Sequence, residues 1–200
     1  ILMGTSLIFS ILVAIPLGIF LAVNKNSITS KVSSVFNYIG VSIPSFWIGM
    51  ILISIFSVKL NIFPSGGMHT IGNDSIGDLV KHLVLPVITL GLYNTAIFTN
   101  YVEASVNEQL KKQYVITARA KGLSEKVILF KHVLKNSLTS LVTILGMSIQ
   151  KLVTGAFVTE VVFSWPGMGR LMIDSIFSRD YTVIMAITML SALFLILGKD

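Results

Sequence analysis

Cysteine is absent from the chain, which excludes disulfides, thiolate-held zinc, iron–sulfur clusters and thiol nucleophiles. Charge is scarce as well. Only 12% of the 200 residues are Asp, Glu, Lys or Arg, about half the ~25% of an ordinary soluble domain. No G-x-x-x-x-G-K-[ST] phosphate loop occurs, so the chain carries no such site for ATP hydrolysis. No H-E-x-x-H or nucleophile-and-base signature falls in an apolar stretch, which argues against an intramembrane enzyme. What the chain has in excess is apolar residues, 54% of the total, with a mean hydropathy of +0.85. That leaves too little polar surface to clothe a water-soluble globule, and it disfavours disorder and a coiled coil as well. A membrane protein remains.

The apolar residues come in runs of the right length. A helix rises about 1.5 Å per residue, so about 20 residues cross a hydrocarbon core of about 30 Å. Five stretches qualify or nearly do: 1–23, 32–58, 83–102, 136–159 and 181–198. None alternates like a barrel strand, and only helices or closed barrels satisfy the backbone in lipid. The expected fold is all-α, a polytopic transmembrane helical bundle of about five spans. The first run has neither a basic n-region nor an A-x-A cleavage site, unlike a signal peptide.

Basic residues orient these spans. Of fifteen Lys and Arg, ten fall in 24–31, 103–135 and the tail: Lys25, Lys31, Lys111, Lys112, Arg119, Lys121, Lys126, Lys131, Lys135 and Lys199. The alternate segments hold four, Lys59, Lys81, Arg170 and Arg179. The positive-inside rule places the first set in the cytoplasm and the start of the chain outside. The net charge of +6 then needs no nucleic acid to explain it.

The segment 103–135 reads EASVNEQLKKQYVITARAKGLSEKVILFKHVLK. Helix formers dominate, with one glycine. The pattern predicts a short helix over 114–121, ended by Gly122 as a left-handed C′ residue. Ser124 can then cap a second helix, with Glu125 in its first turn, where the helix dipole favours an anion. The result is a helix–Gly–helix elbow presenting Ala118, Arg119, Ala120 and Lys121 outward. Two readings fit these residues. One is a docking element, in which small residues admit a partner's groove and Arg119 forks onto a carboxylate. The other is a solvated basic loop against lipid head groups.

Three separated motifs carry a resemblance. They are Tyr114-Val115-Ile116-Thr117-Ala118-Arg119-Ala120-Lys121-Gly122-Leu123-Ser124 followed by Lys131-His132-Val133-Leu134-Lys135-Asn136-Ser137-Leu138, then Ser42-Ile43-Pro44-Ser45-Phe46-Trp47, and Phe163-Ser164-Trp165-Pro166-Gly167-Met168-Gly169-Arg170. Arg179-Asp180-Tyr181 adds to them. Together the chain resembles the permease subunits of binding-protein-dependent ABC importers, in the dipeptide/oligopeptide/nickel branch. Where the general EAA pattern of such loops has Glu-Ala-Ala, this chain has Ile116-Thr117-Ala118, as that branch does. The resemblance implies a type I ABC importer permease domain over 1–200, expected to lack a preceding span with an external segment and the C-terminal end. It implies that 107–135 is a cytoplasmic coupling loop, with Tyr114, Ala118, Arg119, Ala120, Lys121 and Gly122 coupling to an ATPase. The implied location is the cytoplasmic membrane, multi-pass. The implied partners are a second homologous permease chain, two cytoplasmic ATPase subunits and an extracytoplasmic substrate-binding protein. No cofactor and no catalytic residue is implied. The implied cargo is a peptide, or alternatively nickel or a metal chelate.

The alternate segments are less specific. In KLNIFPSGGMHTIGNDSIGDLVKHLVLP, Pro64-Ser65-Gly66-Gly67 signals a turn, and 76–83 could lie on the outer surface as a short helix. His69, Asp74, Asp78 and His82 lack zinc-like spacing, so no metal site is assigned. In TEVVFSWPGMGRLMIDSIFSRDY, Pro166-Gly167 breaks one helix, and 167–178 is amphipathic enough to lie in the interface. Trp165 stands where an aromatic-belt residue would. The resemblance puts Trp165, Pro166, Gly167, Gly169 and Arg170 beside the outer gate and the docking face for a binding protein. The bland alternative is a surface anchor.

One charge falls inside a span. Lys151 at that depth costs a few kcal/mol on insertion scales, so it should face the bundle interior, water or a partner. Gln150 and Glu160 are its nearest polar neighbours in sequence, and Lys151 with Glu160 is a candidate translocation path. Snorkelling or pairing between subunits is the other reading of Lys151. A secondary transporter or channel not coupled to ATP is the rival class. It would need no basic elbow, and would more often show membrane-embedded acids or inverted repeats.

Overall fold

The computed structural model describes residues 1–25, 27–138, 142 and 156–197. Gln150 and Lys151 lie outside the described residues. The elements in order are α1 (Leu2–Val23), α2 (Ile28–Ser42), α3 (Ser45–Leu52), α4 (Ile76–Leu110), α5 (Gln113–Ala120), α6 (Glu125–Val127), α7 (Phe157–Val162), α8 (Met168–Ser178) and α9 (Tyr181–Leu197). Two π-helical stretches, Ile53–Lys59 and Ile128–Val133, continue α3 and α6. Among the described residues there is no strand, only an isolated bridge between Thr70 and Asn73. The all-α expectation therefore holds.

Two helices, α1 and α4, are long and apolar enough to cross a membrane. The interrupted pair Ser30–Gly40 and Ser45–Lys59 makes a third if it is one broken span, and Tyr181–Phe194 is a shorter apolar helix. The break falls at Pro44, which has no amide hydrogen to donate and turns its predecessor away from helical backbone.

The five-run segmentation of the sequence misjudged α4. Residues 76–83, 83–102 and 103–110 were expected to be an outer helix, a span and part of a loop; they form one helix of 35 residues. At about 1.5 Å per residue it is about 50 Å long, well beyond the hydrocarbon core. Pro86 lies inside this helix without ending it. The polar run Glu103-Ala104-Ser105-Val106-Asn107-Glu108-Gln109-Leu110 contains no glycine or proline to stop the helix.

Small residues organise α1. Ser6, Ser10, Ala14, Gly18 and Ala22 recur at every fourth position and all are buried, while Ile8, Leu12 and Phe20 are exposed. Such a small-residue face lets helix backbones approach closely where lipid supplies no hydrophobic drive. At Gly18 the approach reaches the backbone of α4. A Cβ there would sit 2.7 Å from Val102 Cβ and 2.9 Å from the Thr99 carbonyl oxygen.

The chain divides into two compact units. The first comprises Ile1–Phe9, Ile43–Tyr93 and Met147–Asp200. Its buried cluster of Leu2, Leu83 and Trp165 packs with Met68, Leu79, Val87 and Leu90. The second comprises Ser10–Ser42 and Asn94–Gly146. Its core includes Leu21, Val106, Val115, Ile128 and Val133, each fully buried. It also holds an amide pair. Asn37 Nδ2 donates to Asn100 Oδ1 at 2.6 Å and to the Ala96 carbonyl at 3.1 Å, which satisfies a buried amide on a membrane helix.

Candidate functional site

The elbow forms much as its residues dictate. α5 ends in a Schellman motif: Leu123 N–H donates to the Ala118 carbonyl at 3.2 Å, and Gly122 N–H to the Arg119 carbonyl at 2.9 Å. Gly122 takes φ +78°, a left-handed conformation that any side chain would strain. Ser124 then starts α6 with extended backbone but makes no side-chain cap bond. Arg119 supplies a closure that the spacing did not reveal. Its Nε donates to Glu125 Oε1 at 2.6 Å and its Nη2 to Oε2 at 3.1 Å. This forked pair bridges the turn and joins α5 to α6. The hydrogen bond from Arg119, more than its charge, holds the Glu125 carboxyl below its ordinary value, and the same bond raises Arg119.

One residue expected to face outward does not, and a second faces outward with its donors already engaged. Ala118 is buried, packed inward beside Val115, Ile128 and Val133 in the elbow's own core. Arg119 is half-exposed, but its fork is already occupied by Glu125. The physical reason is helix periodicity. Val115 and Ala118 lie three apart on one face, so Ile116, Thr117, Arg119, Ala120 and Lys121 are left exposed, together with Gly122 and Leu123 after the helix. Tyr114 is half-buried, and its hydroxyl donates to Gln109 Oε1 at 2.9 Å, anchoring the start of α5 to the end of α4. Below the elbow a cleft of about 250 Å³ is bordered by Ala22, Leu110, Arg119, Glu125 and Lys126.

In the first unit, the segment carrying Trp165 to Arg170 is a helix–turn–helix. α7 ends in a second Schellman motif, with Trp165 N–H donating to the Glu160 carbonyl at 2.8 Å and Ser164 N–H to the Val161 carbonyl at 3.1 Å. Ser164 adopts φ +49°. Gly167 precedes α8, and Gly169 is buried in its first turn. Arg170 Nη1 donates to the Ser164 carbonyl at 2.6 Å. Trp165 is buried at 4% exposure against Leu2 and Leu83, so it is a core residue of this unit and not a belt residue. Its large apolar area is what the cluster buries. Arg179 at φ +57° ends α8, and Asp180 Oδ1 accepts the Val183 N–H at 3.2 Å, capping α9. The motif Arg179-Asp180-Tyr181 is thus a helix stop followed by a helix start.

The turn around Gly66 is stitched to both neighbours. Gly67 N–H donates to the Phe163 carbonyl at 2.8 Å. His82 Nδ1 lies 3.1 Å from the carbonyl oxygens of Gly66 and Gly67. Asp78 accepts the Thr70 N–H at 2.6 Å and its hydroxyl at 2.7 Å. Asp78 and His82, one turn apart on α4, therefore hold this loop down. Among the described residues no group of three His, Asp or Glu is arranged to hold a metal.

Among the described residues, membrane-crossing helices, a buried amide pair and a stapled basic elbow define a polytopic α-helical membrane protein. The comparisons give its family. Residues 14–198 match the family described as binding-protein-dependent transport system inner membrane component, and the chain belongs to that family. It is 40% identical over 199 residues to the oligopeptide transport system permease protein AppB of Bacillus subtilis, covering 99% of this chain and 63% of that protein. It is 39% identical over 193 residues to the glutathione transport system permease protein GsiC of Escherichia coli K12, covering 96% of this chain and 60% of that protein. The chain thus spans about three-fifths of the length of these relatives. It is a multi-pass component of the cytoplasmic membrane.

Proposed function

We propose that the chain is the membrane-spanning part of a permease subunit in an ATP-driven importer that moves peptides delivered by an extracytoplasmic binding protein. The observation that carries this reading is the elbow. A helix stopped at Gly122 and tied to the next by Arg119 and Glu125 is a stiff lever. It stands in a family of binding-protein-dependent transport components. A secondary transporter has no need of such a lever. Peptide cargo follows from the oligopeptide and glutathione systems named for the two relatives; nickel or a metal chelate is the alternative.

In this reading the five apolar runs are five spans, the start of the chain is outside, and 107–135 is the cytoplasmic coupling loop of the permease domain. Tyr114, Ala118, Arg119, Ala120, Lys121 and Gly122 build the coupling element. Ala118 and Arg119 act from within it, while Ala120, Lys121, Ile116 and Leu123 supply the face that meets the ATPase. Trp165, Pro166, Gly167, Gly169 and Arg170 form the outer gate and the docking face for the binding protein. Lys151 belongs to the translocation path; Glu160, expected there with it, is buried with both carboxylate oxygens held by main-chain amides and so does not line it. ATP hydrolysis is the work of two partner ATPases, and a second homologous permease chain completes the path.

The deciding experiment reconstitutes the full-length chain with its partner permease, ATPases and binding protein in proteoliposomes. Uptake of a labelled oligopeptide should require ATP, the binding protein and hydrolysis-competent ATPases. Uptake that persists with hydrolysis-deficient ATPases would establish the uncoupled transporter instead.

A further inference from the structure

Glu160 is buried at 3% exposure, in a segment where the sequence suggested only a path residue. Its side chain spans two helices. Oε1 accepts the Ala156 N–H at 3.0 Å, at the start of α7, and Oε2 accepts the Arg170 N–H at 3.1 Å, in the first turn of α8. Its main chain is engaged as well, donating to the Ala156 carbonyl and accepting from Trp165 N–H, both at 2.8 Å. The Arg170 guanidinium is turned away to the Ser164 carbonyl, so Arg170 meets Glu160 through its backbone.

Sequence and geometry explain why a carboxylate is needed. The residue before α8 is Gly167, which has no side chain to cap the free amides of the first turn. Those amides form the positive end of the helix dipole, and a carboxylate is their strongest acceptor. Room for it comes from two glycines. A Cβ at Gly167 would overlap the Glu160 carboxylate, lying 2.7 Å from Oε1 and closer still to Oε2. A Cβ at Gly169 would lie 3.0 Å from Oε2 and 2.5 Å from Phe157 Cα. The glycines of the Trp-Pro-Gly-Met-Gly motif are thus the walls of a slot filled by this chain's own glutamate.

We propose that Glu160 is a positioning residue: its buried carboxylate clamps α7, the Ser164–Gly167 turn and α8 into one rigid piece, so that α8 follows α7 when the permease changes state. The clamp rests on the reading of this segment as outer gate and docking face. A carboxylate is required because both partners are donors. Glutamine offers one oxygen and sets its NH₂ against the other N–H. Aspartate is one methylene short of bridging both.

The test uses Glu160→Gln, Glu160→Ala, Gly167→Ala and the double variant Glu160→Ala/Gly167→Ala, each in the full-length chain and the complete importer. Amide hydrogen exchange over 167–170 reads the clamp without reference to transport. Glu160→Gln should speed it about tenfold, the scale of one lost charge-assisted bond. In ATP hydrolysis the half-saturating binding-protein concentration should rise about tenfold, with the maximal rate per assembled complex held within about twofold; a merely structural lesion would lower assembly or the maximal rate. Gly167→Ala should be damaging alone but add less than about twofold on the Glu160→Ala background, where its methyl has room. Unchanged exchange in Glu160→Gln, or multiplying effects in the double variant, would overturn the clamp. Should the Glu160 variants fail to assemble, exchange in Gly167→Ala alone decides: acceleration supports the clamp and wild-type exchange overturns it. Wild-type uptake indifferent to ATP would sink the importer reading and leave the exchange measurement to judge the clamp.

Discussion

The Arg119 guanidinium grips the Glu125 carboxylate in a forked pair, at 2.6 and 3.1 Å, across the left-handed turn at Gly122. The pair changes what Arg119 can do. A guanidinium already engaged by two bonds is a brace for the elbow, and the surface offered to a partner passes to the residues around it.

Charge exchange tests the brace. Arg119→Glu or Glu125→Arg alone should lower co-purification of the ATPases severalfold, and Arg119→Glu/Glu125→Arg should restore most of it. A double variant as impaired as the singles would mean that Arg119 itself contacts the partner. Acid gives a second check. The Glu125 carboxyl is held below 4.5 in the folded state, so the pair's contribution is complete above that value and fades as pH falls through the lowered one. Limited proteolysis of the elbow should be flat from pH 8 to about pH 5 and accelerate only in stronger acid. Both groups are largely exposed, so high salt should weaken the brace at any pH.

Gly122 and Ala118 are constrained for different reasons. Gly122→Val forces a β-branched residue into φ +78° and should disrupt the turn. Ala118→Asp places a carboxylate in the elbow core, where Ala118 is 8% exposed, at a cost of several kcal/mol. Both should insert into the membrane normally and lose ATPase association. Normal co-purification in both variants would remove the elbow from the coupling pathway.

Topology follows from the ten-to-four division of basic residues. Because the chain has no cysteine, single substitutions label cleanly. Lys112→Cys and Gly67→Cys should react with a membrane-impermeant thiol reagent from opposite sides. Reaction from one side would contradict the five-span arrangement.

The contact at Gly18 predicts a stability effect remote from either site. Gly18→Val would drive its side chain into Val102 and the Thr99 carbonyl, an overpacking that costs about 1–3 kcal/mol. Thermal denaturation of the purified chain in detergent should show a lowered midpoint, while Gly4→Val, where no atom lies within 4 Å of the added Cβ, should leave it unchanged.

Legibility in the sequence divides along a physical line. Whatever depends on neighbours a few residues apart could be read directly. The helical character of the apolar runs among the described residues, the stop at Gly122, the start of α6 after Ser124 and the break at Pro166-Gly167 all follow from local propensities and backbone sterics, which the chain carries with it. Membrane residence follows from composition alone. What depends on which face of a helix meets which other element could not be read. Ala118 turned inward, Trp165 became core, Asp78 and His82 became a latch on the Gly66 turn, and the 76–110 segment fused into one helix. Glu160 is the sharpest case. Ten residues separate it from its second partner, the Arg170 amide, and a main-chain donor leaves no mark in the residue code. Only the folded turn brings that amide to the carboxylate, and only there does the absence of a Cβ at Gly167 acquire its reason.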